Sequence, residues 1–293
     1  MSADPAPVER DSRGILDPWL LRQRVRLTRY PPSAPLDGLI DRFWAVRWDL
    51  PPGTLHRQQV LTHPGANISV GHANSRPGGR QPGPPEARLY GVARRLSSRD
   101  LTGSGWTVAA LARPGGLGAF VAGAASDYTD RVVPLGEAIG VDEAALLGQI
   151  TAEPEEAARV ALLAAALAGA VRPERADAAR QVARIAQLAE TSRDVRRLSD
   201  LCELAGVGPR SLQRMFLHHA GVPPTWVIRR YRLLDAAEAV RDGRPVAWAD
   251  VAARLGYADQ AHLIRDFRAA TGQTPAAYAS AQSQAAGSRP PAT

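Results

Sequence analysis

Residues 210–216 read RSLQRMF, and 51 residues further on residues 261–267 read AHLIRDF. Each phrase sets a leucine and a phenylalanine four residues apart, with an arginine midway between them. On a helix a spacing of four places both apolar side chains on one face, so Leu212 with Phe216 and Leu263 with Phe267 point inward. The intervening polar residues then fall on the opposite face: Arg210, Gln213 and Arg214 in the first phrase, and His262, Arg265 and Arg268 in the second.

The likeness extends on both sides. At an offset of 50, Leu201, Cys202 and Gly206 meet Val251, Ala252 and Gly256; at 51, Leu212, Arg214, Phe216, Gly221 and Pro224 meet Leu263, Arg265, Phe267, Gly272 and Pro275. The second copy therefore carries one extra turn residue, and the region reads as a duplicated supersecondary unit. Each unit is a helix, a tight turn and a second helix. Gly206 and Gly256 stand where the first helix must end in a left-handed cap, and Gly208 with Pro209 opens the next helix. A helix presenting arginine and glutamine outward suits the major groove, where arginine can reach guanine O6 and N7, and glutamine adenine N6 and N7.

Composition bounds the rest. The 293 residues are enough for two domains, the formal charge is +7, and all 36 basic residues are arginine, a planar donor suited to phosphates and guanine edges. One cysteine, Cys202, excludes a disulfide framework and a cysteine-rich metal site. With no charged-then-apolar leader, a cytoplasmic setting is expected. The run ARVALLAAALAGAV at 158–171 is too short for a membrane span.

Along the chain, most of residues 1–24 and residues 281–293 read as frayed ends. Residues 25–140, rich in glycine and proline, read as a β domain: FWAVRWDL alternates Trp44, Val46 and Trp48 on one face, VLTHPGANISVG is strand, turn and strand, and WTVAALARPGG is a strand stopped at Pro114. HANSRPGGRQPGPPEA reads as a loop. Residues 141–190, rich in alanine, leucine, glutamate and arginine, read as one or two connecting helices, and 191–280 as several short ones. The fold class expected is α+β.

Residues 191–280 resemble the DNA-binding domain of AraC-family transcription regulators, through LSDLCELAGV, LQRMF, GVPPTWVIRRYRLLDAA and VAARLGYADQAHLIRDFRAATGQTPAAY in that order and spacing. The resemblance implies a long helix joining two helix-turn-helix units, with Val227, Tyr231 and Leu234 as its buried stripe. It implies that helices 209–219 and 259–269 enter two successive major-groove segments of double-stranded DNA, with base contacts from Arg210, Gln213 and Arg214 and from Ala261, His262 and Arg265. Ala261 offers no hydrogen bond, which points this unit toward phosphate or a thymine methyl. Arg229, Arg230 and Arg232 on the joining helix are either a solvated or salt-bridged face or phosphate contacts.

YPPSAPLDGLIDRFWAVRW, THPGANISV and RPGGLGAFVAGAASDYTDRVVPL resemble the cupin-like N-terminal domain of a subset of those regulators. Trp44, Trp48, Tyr90 and Trp106, together with Phe120, are candidate walls of an effector pocket or else simply the β core. His56, His63 and His72 match no compact metal-ligand spacing, no catalytic constellation stands out, and neither cofactor nor enzymatic activity is expected. The partners expected are DNA, a small-molecule effector and a second copy of the chain; the alternative is a front domain that mediates protein contacts only.

Overall fold

The computed structural model describes residues 13–72, 82–240 and 246–287. The chain forms helix α1 (Pro18–Arg24), then strands β1 (Val25–Tyr30), β2 (Ile40–Asp49), β3 (His56–Val60), β4 (Asn67–His72), β5 (Pro85–Tyr90), β6 (Ser97–Leu101), β7 (Ser104–Ala112) and β8 (Val132–Pro134). Helices α2 (Leu135–Ile139), α3 (Glu143–Ala152), α4 (Glu156–Ala170) and α5 (Pro173–Thr191) connect these to α6 (Leu198–Ala205), α7 (Pro209–His219), α8 (Pro224–Glu238), α9 (Trp248–Arg254), α10 (Gln260–Thr271) and α11 (Pro275–Gly287). The fold is thus α+β, a β domain followed by a helical one.

Six strands make one antiparallel sheet in the order β1-β2-β7-β4-β5-β8, and β3 pairs with β6 in a separate ribbon. Alternation along β2 sends its two faces to different cores. Phe43 and Ala45 join Ile68, Val70, Leu89 and Val108 beneath Leu146, Ile150, Leu163 and Leu167 of α3 and α4. Trp48, backed by Val46, meets Leu101 and Val60 of the ribbon together with Ile15, Leu21 and Val25. HPGAN does link two strands, but these belong to different sheets and do not pair with each other.

Residues 13–24 are no frayed end. Ile15 bridges to Val60, Leu16 and Leu21 are buried, and Asp17 caps α1 by accepting from the Leu20 amide at 2.8 Å. At the other end α11 runs to Gly287, and Gln282, buried, donates from Nε2 to the Leu16 carbonyl at 2.6 Å. The expected tail 281–293 is therefore helical to 287, and the expected N-terminal extension is packed from 13 onward; residues 1–12 and 288–293 lie outside the described residues. So do 73–81 of the expected loop, whose flanks are the ends of β4 and β5.

Three helices, not one or two, fill 141–190. Pro154 falls between α3 and α4 and Pro173 opens α5, and neither can sit inside a continuous helix. The last of the three, α5, turns Val182, Ile185, Ala186 and Ala189 into a core that also holds Leu16, Leu61 and Val92 from the front of the chain and Leu201, Leu212, Phe216, Val227 and Leu263 from the back. One apolar cluster therefore spans both domains.

Candidate nucleic-acid interface

Gly206, with φ +62°, closes α6 in the left-handed conformation, and Gly256, φ +69°, follows α9 in the same way. Both turns stand where the internal repeat requires them. After the first turn Pro209 starts α7, whose Leu212 and Phe216 are fully buried. After the second, Asp259 caps α10 by accepting from the His262 amide at 2.6 Å, and Leu263 and Phe267 are fully buried. Val227, Tyr231 and Leu234 form the buried stripe of α8, as the resemblance implies.

The outward faces follow. Arg210, Gln213 and Arg214 are all exposed on α7, at i, i+3 and i+4. Ala261, Arg265 and Arg268 are exposed on α10. His262 is held differently from the other candidates: its ring stands edge-on to Tyr257 at 5.1 Å between centroids, and its Nε2 lies 3.8 Å from the buried carboxylate of Asp266. That carboxylate takes both arms of the Arg229 guanidinium, which raises the arginine's pKa above its ordinary value. Burial, and then the Asp266 charge, push the Tyr257 hydroxyl up.

Asp266 is a residue that sequence reasoning passed over. Its signal was its position: one residue before Phe267 and three after Leu263, it borders the inward face, and a carboxylate there needs a partner. The arginine run on α8 likewise has separate fates. Arg229 pairs with Asp266; Arg232 donates to the Arg196 carbonyl. Arg230 is only 3% exposed and reaches into the front domain, donating to the carbonyls of Arg94 at 2.7 Å and Thr62 at 3.4 Å while lying over the Trp226 ring. Burial pulls its pKa down to about 10, so it remains charged near neutrality.

Further contacts join the domains around α7. The Thr129 hydroxyl donates to the Gly221 carbonyl at 2.6 Å. A Cβ on Gly118 would lie 2.4 Å from His219 Nδ1, so only glycine allows this approach. Burial, followed by His218 and Arg175, lowers the His219 pKa to about 4. Arg13 forks between Glu190 on α5 and Asp235 on α8 at 2.6 and 2.7 Å. Beside it a cavity of about 150 Å³ lies between the sheet, α5 and α8, lined by Asp41, Arg42, His63, Arg113, Glu190 and Tyr231 among others.

The four aromatic candidates are not gathered in that cavity. Trp44 and Trp48 lie on the ribbon side of the sheet; Trp106, paired with Arg47, lies on the other side, under the Arg159 guanidinium at 3.8 Å. Tyr90 is in register with Asn67, whose side chain accepts from Trp44 Nε1 at 3.2 Å, and is faced by Arg99 at 4.6 Å. Trp48 is buried and donates from Nε1 to the Thr102 carbonyl at 3.1 Å. The three front-domain histidines are also apart: His56 beside Gln58, His72 against the Trp106 backbone and His63 in the cavity wall.

Residues 201–281 match a family model described as a helix-turn-helix domain, and residues 28–134 match one described as a domain of unknown function, DUF6597. No curated protein matches the chain. Among solved structures, the C-terminal domain of AraT, a response regulator from Geobacillus stearothermophilus, is 25% identical over 34% of this chain and 84% of that one, with a TM-score of 0.32. ToxT from Vibrio cholerae is 11% identical over 87% of this chain and 98% of that one, with a TM-score of 0.39. Unsaturated fatty acid bound ToxT is 13% identical over 81% and 94%, with a TM-score of 0.37. No helix among the described residues is long and apolar enough to cross a membrane.

Proposed function

We propose that this chain, a DNA-binding transcription regulator by its C-terminal helix-turn-helix domain of the AraC type, reads two successive major-groove segments of one duplex in the cytoplasm. In this reading α7 presents Arg210, Gln213 and Arg214, and α10 presents Arg265 and Arg268, with His262 at the edge of the face. The observation that carries the proposal is the matched pair of helices: equivalent leucines and phenylalanines are buried in both, and arginine is exposed at the equivalent positions 214 and 265. A lone arginine on a surface helix would mean little. Two at matched positions of a duplicated unit fit a duplex whose grooves recur every turn.

The front domain, in the same reading, modulates DNA binding through a small ligand or self-association. What supports this is the seam: Arg230, Thr129 and Arg13 tie the helical domain to residues far away in sequence, and an apolar core crosses between them. A ligand that favours one arrangement of that seam would shift DNA affinity by its differential affinity for the two states.

The test is selection of binding sites from random duplex DNA by the full chain, followed by footprinting at fixed salt, since phosphate contacts make affinity salt-dependent. The expected result is two protected patches on one face, about 10 base pairs apart. A single patch, or protection without sequence preference, would refute the two-reader function.

A further inference from the structure

We propose that Asp266 and Arg229 are positioning residues for the second reading helix: their ion pair, in which the carboxylate is buried and the guanidinium lies half-exposed across it, sets the roll of α10 on the joining helix α8, and through it the base preference of the second DNA segment. The inference rests on the two-reader function above.

Leu263 and Phe267 hold α10 down, but the attraction that buries them has no preferred direction of its own. A carboxylate gripped by both arms of one guanidinium has a set direction and a set plane. Asp266 is 5% exposed on α10, and its partner comes from α8, 37 residues earlier. The same carboxylate faces His262 Nε2 at 3.8 Å, and His262 is in turn seated on the Tyr257 ring from the turn before α10. Three elements thus converge on one buried charge. Side chains reach about 5–6 Å from a helix axis, so a roll of about 20° shifts their tips by about 2 Å. That is more than a bidentate contact between Arg265 and a base can absorb, given its narrow range of distance and angle.

Position 266 is also chemically odd for a residue with no wider purpose. The corresponding residue of the first unit is Met215, partly buried against the apolar core. The repeat therefore places a thioether in one unit and a carboxylate in the other at the same point, and only the second unit is tied to α8 by a charge pair at that point. The second unit also has the poorer set of hydrogen-bonding readers, with Ala261 where the first has Arg210, so it depends more on the placement of Arg265.

The experiment uses the full chain carrying Asp266→Asn, Arg229→Gln or both, with site selection and footprinting of each, and melting temperature as a check on folding. Each single substitution should lower base preference in the second segment at least tenfold and leave preference in the first within about twofold. The double variant, whose neutral amides can still bond each other, should recover second-segment preference to within about threefold of the parent. Single variants that melt lower yet keep their second-segment preference would show the pair to be structural only and overturn the inference. Equal losses in both segments, or a double variant no better than the singles, would overturn it too. If the unsubstituted chain shows no base preference in a second segment, the two-reader function itself has failed, and the inference falls with it; that outcome is seen in the parent before any variant is compared.

Discussion

Replacing Arg230 by alanine tests whether the two domains are joined as described. The side chain is 3% exposed, its donors end on the carbonyls of Arg94 and Thr62, and it covers the Trp226 ring with 4.6 Å between the guanidinium carbon and the ring centre. The 2.7 Å bond to Arg94 has near-ideal length, and a bond from a charged donor contributes about 1.5–3 kcal/mol. The 3.4 Å bond to Thr62 adds little, and a largely desolvated cation over tryptophan adds about 1–2 kcal/mol. Against these stands the cost of keeping a guanidinium out of water, visible in its lowered pKa, and alanine removes that cost. The balance is a loss of about 2–3 kcal/mol, because alanine leaves two carbonyls facing a cavity. At about 2–4 °C per kcal/mol for a chain of this size, the melting temperature should fall by about 5–10 °C. Scanning calorimetry of the full chain measures it, with Arg230→Met, which keeps an apolar stem over the ring, expected to lie between the two. A shift of less than 1 °C in the alanine variant would show that these bonds do not hold the seam.

Other perturbations give separate outcomes. Burial holds His63 near 3 and His219 near 4, against an ordinary 6.5, so on acidification the unfolded chain takes up both protons first. Stability present above pH 6.5 is therefore lost as pH falls toward 4, at about 1.4 kcal/mol per pH unit for each histidine; His219→Asn should remove one proton from the slope, and an unchanged slope would contradict its burial. Phe267→Ala empties a fully buried site beside Tyr278 and should cost about 3–5 kcal/mol in denaturant unfolding; a cost under 1 kcal/mol would mean that α10 is not packed there. Arg214→Ala, on an exposed side chain, should leave melting unchanged, weaken binding by about 1–3 kcal/mol and relax preference at one base position; unaltered preference in site selection would place the reading face elsewhere on α7.

The helical half was legible because its signals are local. Leu212 with Phe216 and Leu263 with Phe267 declare an inward face within five residues each, and Gly206 and Gly256 mark turns by their own conformational freedom. Residues 13–24 gave no such sign. What orders them lies elsewhere in the chain: Val60 for Ile15, Glu190 and Asp235 for Arg13, and Gln282 for Leu16. The aromatic residues divide between the two faces of the sheet for a related reason. Trp44 and Trp48 share a face by simple alternation, but whether Trp106 joins them depends on the pairing of β2 with β7, and that register sets Trp106 opposite Arg47.

Arginine shows the same divide most sharply, because a sequence does not reveal whether a guanidinium is free to meet DNA or already spent inside the fold. Neighbouring residues 229 and 230 leave α8 in different directions, the first to Asp266 on α10 and the second to the front domain. Helix α7 is fixed to the front domain directly, by Thr129 on Gly221 and by the approach of Gly118 to His219. Helices α7 and α10 are thus referred to one seam, the first directly and the second through α8. A disturbance of the seam should then move them as a unit and change their affinity for DNA together, without altering the distance between their contacts. Footprinting of Arg230→Ala against the parent chain measures this: protection of the two patches should weaken by the same factor at an unchanged spacing. Loss of one patch alone, or a spacing changed by a base pair or more, would mean that α8 does not carry the two readers as one body.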